Sequence, residues 1–431
     1  MAIEFLVLYA AVFAVLWWLY LRRHRRIQRD HAAQLQQSLE AGLGEPPSLH
    51  PVIDPLRCLG SSSCVTACPE EALGIVNGKA VLVNGSACIG HGACEKACPL
   101  DAITLVFGTE KRGIDIPNVS PHFETEVPGI FIAGELGGMG LIRKAAEQGR
   151  QAMDVIARRK GADFDHDVVI VGAGPAGLAA GLSAIEHRLR YKVIEQEASL
   201  GGAVFHYPRN KIAMTAPVKL ALIGKVRFGE VQKERLIEFW RKVVKKTGLR
   251  IDFNQCMQSI EREGQGFVVV TQSGRYRARS VLLAMGRRGT PRKLDVPGEE
   301  SAKVVYRLVD PAQYDGKAVL VVGGGDSAVE AAIALAERPG TDVTLSYRSA
   351  AFSRIKQKNR QLLEQGERSR RIRVELESTV DSIEPAEVKL HTKGGEQVLR
   401  NDAVIVCAGG LLPTPLLQKI GITFQTKYGT A

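Results

Sequence analysis

Cys58 and Cys88 open two copies of one cysteine pattern, thirty residues apart. The first runs Cys58, Cys64, Cys68-Pro69 and the second Cys88, Cys94, Cys98-Pro99, with identical spacing inside each copy. Six thiols held at such spacings point to a site that binds sulfur; a zinc site or a disulfide framework is the alternative. Zinc sites favour C-x2-C pairs, and neither copy contains one. Thiolates kept for metal binding need a reducing compartment, so structural disulfides are not expected. The other two cysteines, Cys256 and Cys407, stand alone.

The two runs resemble the bacterial two-cluster ferredoxin pattern C-x2-C-x2-C-x3-C-P, in which the fourth Cys ligates the other cluster. The resemblance implies an electron-transfer module over residues 52–108. One cluster would take Cys58, Cys64 and Cys98, and the other Cys88, Cys94 and Cys68. Both copies depart from the pattern at its second Cys, which is Ser61 in one and His91 in the other. Three thiolates suit a 3Fe-4S cluster, or a 4Fe-4S cluster with an unusual fourth ligand. Imidazole ligates iron in Rieske centres, so His91 is a candidate ligand; a solvated flanking His is the alternative. Ser61 reads as a spacer that bonds its own backbone. Ile75–Val83 reads as a hairpin with an Asn77-Gly78 turn.

The N-terminus predicts a transmembrane helix. Phe5–Leu21 is an unbroken apolar run of 17 residues, at the short end of the ~17–25 that span a bilayer. Arg22, Arg23, His24, Arg25 and Arg26 follow it directly. A cleaved signal peptide carries its charge in front instead. The positive-inside rule places the basic flank and all that follows on the cytoplasmic side of a bacterial inner membrane. Trp17, Trp18 and Tyr20 suit the interfacial aromatic belt. Residues 27–51 read as a polar helix and a Pro-rich linker.

Two glycine-rich loops follow. Val168–Val171 is a buried strand leading into Gly172-Ala-Gly174-Pro-Ala-Gly177 and an Ala-rich helix. The first Gly makes the turn, the second admits a pyrophosphate, and the third lets helix and strand approach. The next strand ends at Glu195, placed for a ribose hydroxyl. Ala318–Val322 leads into Gly323-Gly-Gly325-Asp-Ser-Ala328, whose following strand ends without an acid before Tyr347-Arg348. With no carboxylate to repel a 2′-phosphate, and with Arg348 or Arg354 to bind it, NADP(H) is favoured over NAD(H). The alternative is that these arginines belong to a solvated basic surface.

Two such units in one chain resemble the thioredoxin-reductase-like flavoproteins, an FAD domain with an inserted NAD(P) domain. Leu200-Gly-Gly202, Leu283-Ala-Met-Gly286 and Val296-Pro-Gly-Glu299 are further matches. His206–Trp240 looks closer to the bacillithiol-disulfide-reductase branch. Two departures matter. The region before the second glycine loop, Val305–Gly316, lacks the family's C-x-x-C. The family's C-terminal T-x-x-P-G-I-F-A-A-G-D segment, whose acid touches the flavin ribityl chain, has its match at Thr125–Glu135, with Gly134-Glu135 at its end and before the first glycine loop. The resemblance therefore implies a circularly permuted FAD domain.

The expected fold is α/β: two Rossmann-like dinucleotide-binding domains, a small α+β ferredoxin domain and one N-terminal transmembrane helix. The expected boundaries are 1–26 anchor, 27–51 helix and linker, 52–108 ferredoxin, 109–160 permuted FAD segment, 161–295 FAD domain, 296–400 NAD(P) domain and 401–431 return to the FAD domain. A net charge of +11 predicts anionic partners such as lipid headgroups or cofactor phosphates, and no nucleic-acid module is present. The resulting expectation is a membrane-tethered iron–sulfur flavoprotein oxidoreductase. It would pass electrons between NAD(P)H, FAD and two clusters, and exchange them with a one-electron carrier or membrane redox partner. A homodimer is left open, and no residue is nominated as a catalytic acid, base or nucleophile. The alternatives are a low-molecular-weight disulfide reductase and a non-catalytic redox sensor.

Overall fold

The computed structural model describes residues 2–429 apart from 41–43, 45, 47–48, 89, 91, 111–112, 139, 162, 208–211, 215–216, 288–290, 353–354, 356 and 412. The chain forms two compact units. The first is Met1–Ile114 with Phe352–Arg360 and Lys427–Ala431, and the second is Asp115–Ala351 with Gln361–Thr426.

In the first unit, one helix covers Ala2–Glu40, with no break between the apolar run and the polar segment. Val12, Phe13 and Val15–Tyr20 are all exposed, so the helix shows apolar side chains on every face. The side chains of residues 6–8 lie outside those described, so the expected span is only partly covered. Among the described residues no helix is long and apolar enough to cross a membrane.

The ferredoxin-like part is built from two antiparallel pairs. His50–Ile53 pairs with Ile103–Val106, and Leu73–Val76 with Lys79–Leu82. The second pair turns through Asn77 (φ 50°) and Gly78 (φ 73°), the two left-handed positions that an Asn-Gly hairpin turn requires. The short helices Ser63–Thr66 and Ala93–Ala97 each carry the middle Cys of one copy. They are entered through Ser62 (φ 61°) and Gly92 (φ 74°), so the sequence repeat is also a conformational repeat.

In the second unit the first sheet runs in the order Met257–Glu263, Gly266–Thr271, Arg275–Leu283, His166–Val171, Tyr191–Ile194. Ile130–Ile132 joins it by pairing parallel to Val281–Leu283. The run Val168–Val171 is buried, as a parallel strand covered on both faces must be. Helix Ile142–Ile156 packs against the glycine-loop helix Pro175–Glu186, bringing Ala152, Met153 and Ile156 into one core with Leu178 and Leu182.

The second sheet is parallel throughout: Val304–Val305, Ala403–Val406, Ala318–Val322, Asp342–Tyr347, Ile372–Leu376. This corrects one boundary. Ala403–Val406 pairs with Val319–Val322 inside this sheet, so the return toward the first sheet comes after Val406, not at residue 401. An all-apolar strand needs cover on both faces and neighbours on both edges, and Ala403–Val406 finds these here. The return is made beyond it: Leu417 and Ile422 are buried with Ile130, Ile132 and Val281.

Candidate functional site

The crossed cysteine sets are near neighbours in space. Burial pushes the Cys64 thiol up, and the adjacent Cys58 and Cys98 sulfurs push it further. Cys94 is pushed up to about 11 by burial, with Cys88 and Cys68 beside it. Cys88 is raised by burial and by Cys68. Cys58, Cys64 and Cys98 line one cavity with Ser61, Ala80 and Ala102. Backbone amides point at the sulfurs: Ala80 N–H lies 3.4 Å from Cys58 Sγ and Ala102 N–H 3.3 Å from Cys98 Sγ. Such N–H donors hold thiolates and tune iron–sulfur potentials. Among the described residues no three His, Cys, Asp or Glu side chains converge closely enough to hold a metal ion. The first set instead rings a cavity, an arrangement that fits a cluster bound at its corners. Ser61 is an exposed member of that rim, and its hydroxyl donates to Ser63 Oγ at 3.3 Å. His91 lies outside the described residues.

The first glycine loop fits a dinucleotide. A Cβ on Gly172 (φ 108°) would meet the Ala284 carbonyl at 2.6 Å, and one on Gly177 would meet the Gly172 carbonyl at 1.8 Å. Gly174 instead faces open space, its nearest neighbour being Gly202 Cα at 3.8 Å from the would-be Cβ. The gap lined by Gly174 and Gly202 lies at the N-terminus of helix Pro175–Glu186, where a pyrophosphate gains backbone donors and a favourable dipole.

Glu195 is buried, and burial raises its carboxyl above the ordinary range. Its oxygens accept from Ala173 N–H at 2.6 Å and Glu197 N–H at 3.1 Å. The expected ribose acid therefore also pins the glycine loop.

The Thr125–Glu135 segment reaches the same place. Gly134 N–H donates to Gln148 Oε1 at 2.9 Å, and a Cβ on Gly134 would lie 3.0 Å from Ala176 Cβ. Glu135 Oε2 lies 3.7 Å from the position of a Cβ on Gly286. Next to it, burial lowers the Arg287 guanidinium while Glu135 and Asp115 oppose that shift. Arg287 Nη2 donates to the Asp115 carbonyl at 2.9 Å. The loop at 172–177, Gly134-Glu135 and Gly286-Arg287 thus meet from three separate parts of the chain. Sequence reasoning missed Gln148 and Arg287; the position of Arg287 directly after the Leu283–Gly286 match was the available signal.

At the second loop, Gly323 (φ 147°) approaches the Cys407 carbonyl, which a Cβ would meet at 2.4 Å. A Cβ on Gly324 would strike the Tyr347 ring at 2.1 Å, whereas Gly325 is open. Ala328 is fully buried in helix Asp326–Ala336. Arg348 is exposed directly after the strand Asp342–Tyr347, at the edge of this loop. Arg354 lies outside the described residues. Cys256 and Cys407 are both half-buried and are not joined in a disulfide.

Residues 169–430 match the family profile described as pyridine nucleotide-disulphide oxidoreductase, and residues 50–99 match a 4Fe-4S dicluster domain. The ferredoxin–NADP reductase of Ignicoccus hospitalis is 30% identical over 260 residues, covering 56% of this chain and 76% of that protein. The bacilliredoxin reductase Bdr of Bacillus subtilis is 28% identical, covering 61% of this chain and 82% of that one. Among solved structures, the bacillithiol disulfide reductase Bdr from Bacillus cereus aligns with a TM-score of 0.53 at 25% identity, over 59% of this chain and 81% of that chain.

Proposed function

The chain belongs to the pyridine nucleotide-disulphide oxidoreductase family and carries a 4Fe-4S dicluster domain, and from that premise we propose that it moves electrons between NADPH, FAD and two iron–sulfur clusters to serve an external one-electron carrier. The carrying observation is the crossed set of six thiols on a flavoprotein that has no redox dithiol before its second glycine loop. When bound, FAD accepts hydride as an electron pair and releases electrons singly, and iron–sulfur clusters carry one electron at a time. The residues supply binding and orientation. Gly174 and Gly202 leave room for the pyrophosphate of FAD, with Glu195 holding the loop. Glu135 would lie toward the ribityl chain, as the family resemblance implies. Gly325 and Arg348 would receive the phosphates of NADPH. Cys58, Cys64 and Cys98 would hold one cluster, and Cys88, Cys94 and Cys68 the other, with His91 a candidate fourth ligand.

We further propose that Phe5–Leu21 tethers the protein to the bacterial inner membrane with the redox domains on the cytoplasmic side. The support is an apolar helix exposed on every face, capped by a basic cluster.

Anaerobic titration with NADPH tests the electron route. Flavin absorbance should bleach first, followed by a paramagnetic signal from a reduced cluster. A cluster that stays oxidised while the flavin is fully reduced would overturn it. The likeness to Bdr favours a second reading, reduction of a low-molecular-weight disulfide. Turnover on such disulfides without turnover on single-electron dyes would select that reading.

A further inference from the structure

The ferredoxin-like part is fastened to the long N-terminal helix in a defined direction. The Ile75 N–H donates to His31 Nδ1 at 3.0 Å, and the Gly78 N–H to Gln28 Oε1 at 3.4 Å. The hairpin therefore runs alongside the helix, with its Asn77-Gly78 turn toward the helix N-terminus. Gly60 is seated on that turn. Its φ is 69°, and a Cβ there would come 2.1 Å from the Gly78 carbonyl. Gly60 lies in the loop Leu56–Ser61, whose Cys58, Leu59 and Ser61 line the first cluster cavity.

This loop is apolar where it meets solvent. Leu56 is 90% exposed and Leu59 75%. Arg57, between them, is 65% exposed and only loosely paired with Asp54 at 3.6 Å. Gln28 stands seven residues beyond Leu21, the end of the apolar run, or ~10 Å along a helix axis. The headgroup layer on each side of a bilayer is several ångströms deep. The 17-residue run spans ~25 Å, about 5 Å less than the ~30 Å hydrocarbon core, so the core edge lies up to ~5 Å beyond Leu21 and a leucine side chain beside Gln28 reaches the headgroup layer. Arg57 joins Arg22, Arg23, Arg25 and Arg26 in favouring anionic headgroups.

From this placement we infer that the loop Leu56–Ser61 rests on the bilayer surface, with Leu56 and Leu59 in the headgroup layer of an anionic phospholipid membrane. The first cluster site is thereby the one held against the membrane. The inference rests on the tether reading above.

The test uses the full chain with its clusters, reconstituted in vesicles of phosphatidylcholine and phosphatidylglycerol. The vesicles contain a phospholipid whose acyl chain bears a diazirine near its headgroup end. After irradiation, mass spectrometry maps the labelled residues. Labelling is expected within residues 5–21 and at Leu56 or Leu59. Leu39, 62% exposed but ~27 Å beyond Leu21 along the same helix, should stay unlabelled. The variant Leu56→Ser, outside the cavity lining, should keep its iron–sulfur absorbance and lose the label at position 56 while keeping the label at 5–21. Labelling at 5–21 with none in the loop overturns the inference and leaves the tether standing. Labelling at neither overturns both.

Discussion

The Ala133 N–H donates to the Leu283 carbonyl at 3.1 Å, binding a segment that precedes the first glycine loop to the strand that lies far downstream of it. Ile130–Ile132 continues this contact as a parallel strand of the same sheet, and helix Ile142–Ile156 covers its face. The segment is thus an integral layer of the first dinucleotide domain, although the chain enters it early.

A chain starting at Thr109 should therefore retain FAD, and one starting at Gly161 should not. The shorter chain lacks Ile130, Phe131, Ile132, Met153 and Ile156, all buried to 1% or less. At ~1.5–3 kcal/mol each, five such side chains amount to about 7–15 kcal/mol, comparable to the stability of a whole domain. Flavin content after purification is the measurement. Equal content in both chains would show that the segment is dispensable.

The glycines of the first loop should separate by role. Gly177→Ala forces a Cβ against the Gly172 carbonyl and should cost ~1–3 kcal/mol or more, read as a lowered unfolding temperature. Gly174→Ala meets nothing closer than 3.8 Å, so the apoprotein should keep its stability while FAD affinity falls. Similar stability losses in both variants would mean that Gly174 is not the open position.

These loops were legible in the sequence because their demands are local: a left-handed φ, a close approach, a gap. The crossed cysteine sets were legible because the chain repeats itself. The boundary near residue 400 was not, since Ala403–Val406 is an all-apolar strand that would suit the parallel part of either sheet. Glu195 was legible as an acid at a strand end, but not as the acceptor for Ala173 N–H, which depends on how the loop curls back. Arg287 was missed because an arginine after Gly286 reads as part of a basic surface until its burial beside Glu135 is known.

Glu299 should govern the acid stability of the crossover into the second domain. Its oxygens accept from Leu294 N–H and Asp295 N–H, both at 2.7 Å, and from the Tyr306 hydroxyl at 3.0 Å. Burial alone would raise its carboxyl; these donors outweigh burial and hold it below the ordinary carboxylate range. Stability from a depressed acid is full above the unfolded value of about 4.3 and is lost as pH falls through the folded value. Glu299→Gln should cost ~1–3 kcal/mol at neutral pH and flatten the loss of stability on acidification. An unchanged acid limb in the variant would place the titrating group elsewhere.

Arg348 should decide between the two nicotinamide cofactors. The strand before it ends in Ser346-Tyr347, and Ser346 Oγ is already bonded to Ser378 Oγ at 2.7 Å, so Arg348 is the polar group offered to a 2′-phosphate. Arg348→Ala should raise KM for NADPH about tenfold, equivalent to ~1.4 kcal/mol, and leave KM for NADH unchanged. Parallel changes for both cofactors would assign Arg348 to general electrostatics.

The two cluster sites should be separable from flavin reduction. Cys64 and Cys94 each sit on a short helix entered through a left-handed residue, and each is the member of its set that feels both partner sulfurs. Replacing either with Ser removes a thiolate from the middle of one set and puts in its place a hydroxyl that ionises far less readily. Neither residue belongs to the glycine loops or to the Glu135–Arg287 region. Cys64→Ser and Cys94→Ser should therefore leave the anaerobic bleaching of flavin by NADPH at its original rate. Transfer to an external one-electron acceptor should fall by an order of magnitude or more in at least one variant, and the cluster signal should be altered in both. If acceptor reduction continues unchanged in both, the clusters lie off the electron path, and turnover on low-molecular-weight disulfides becomes the activity to measure.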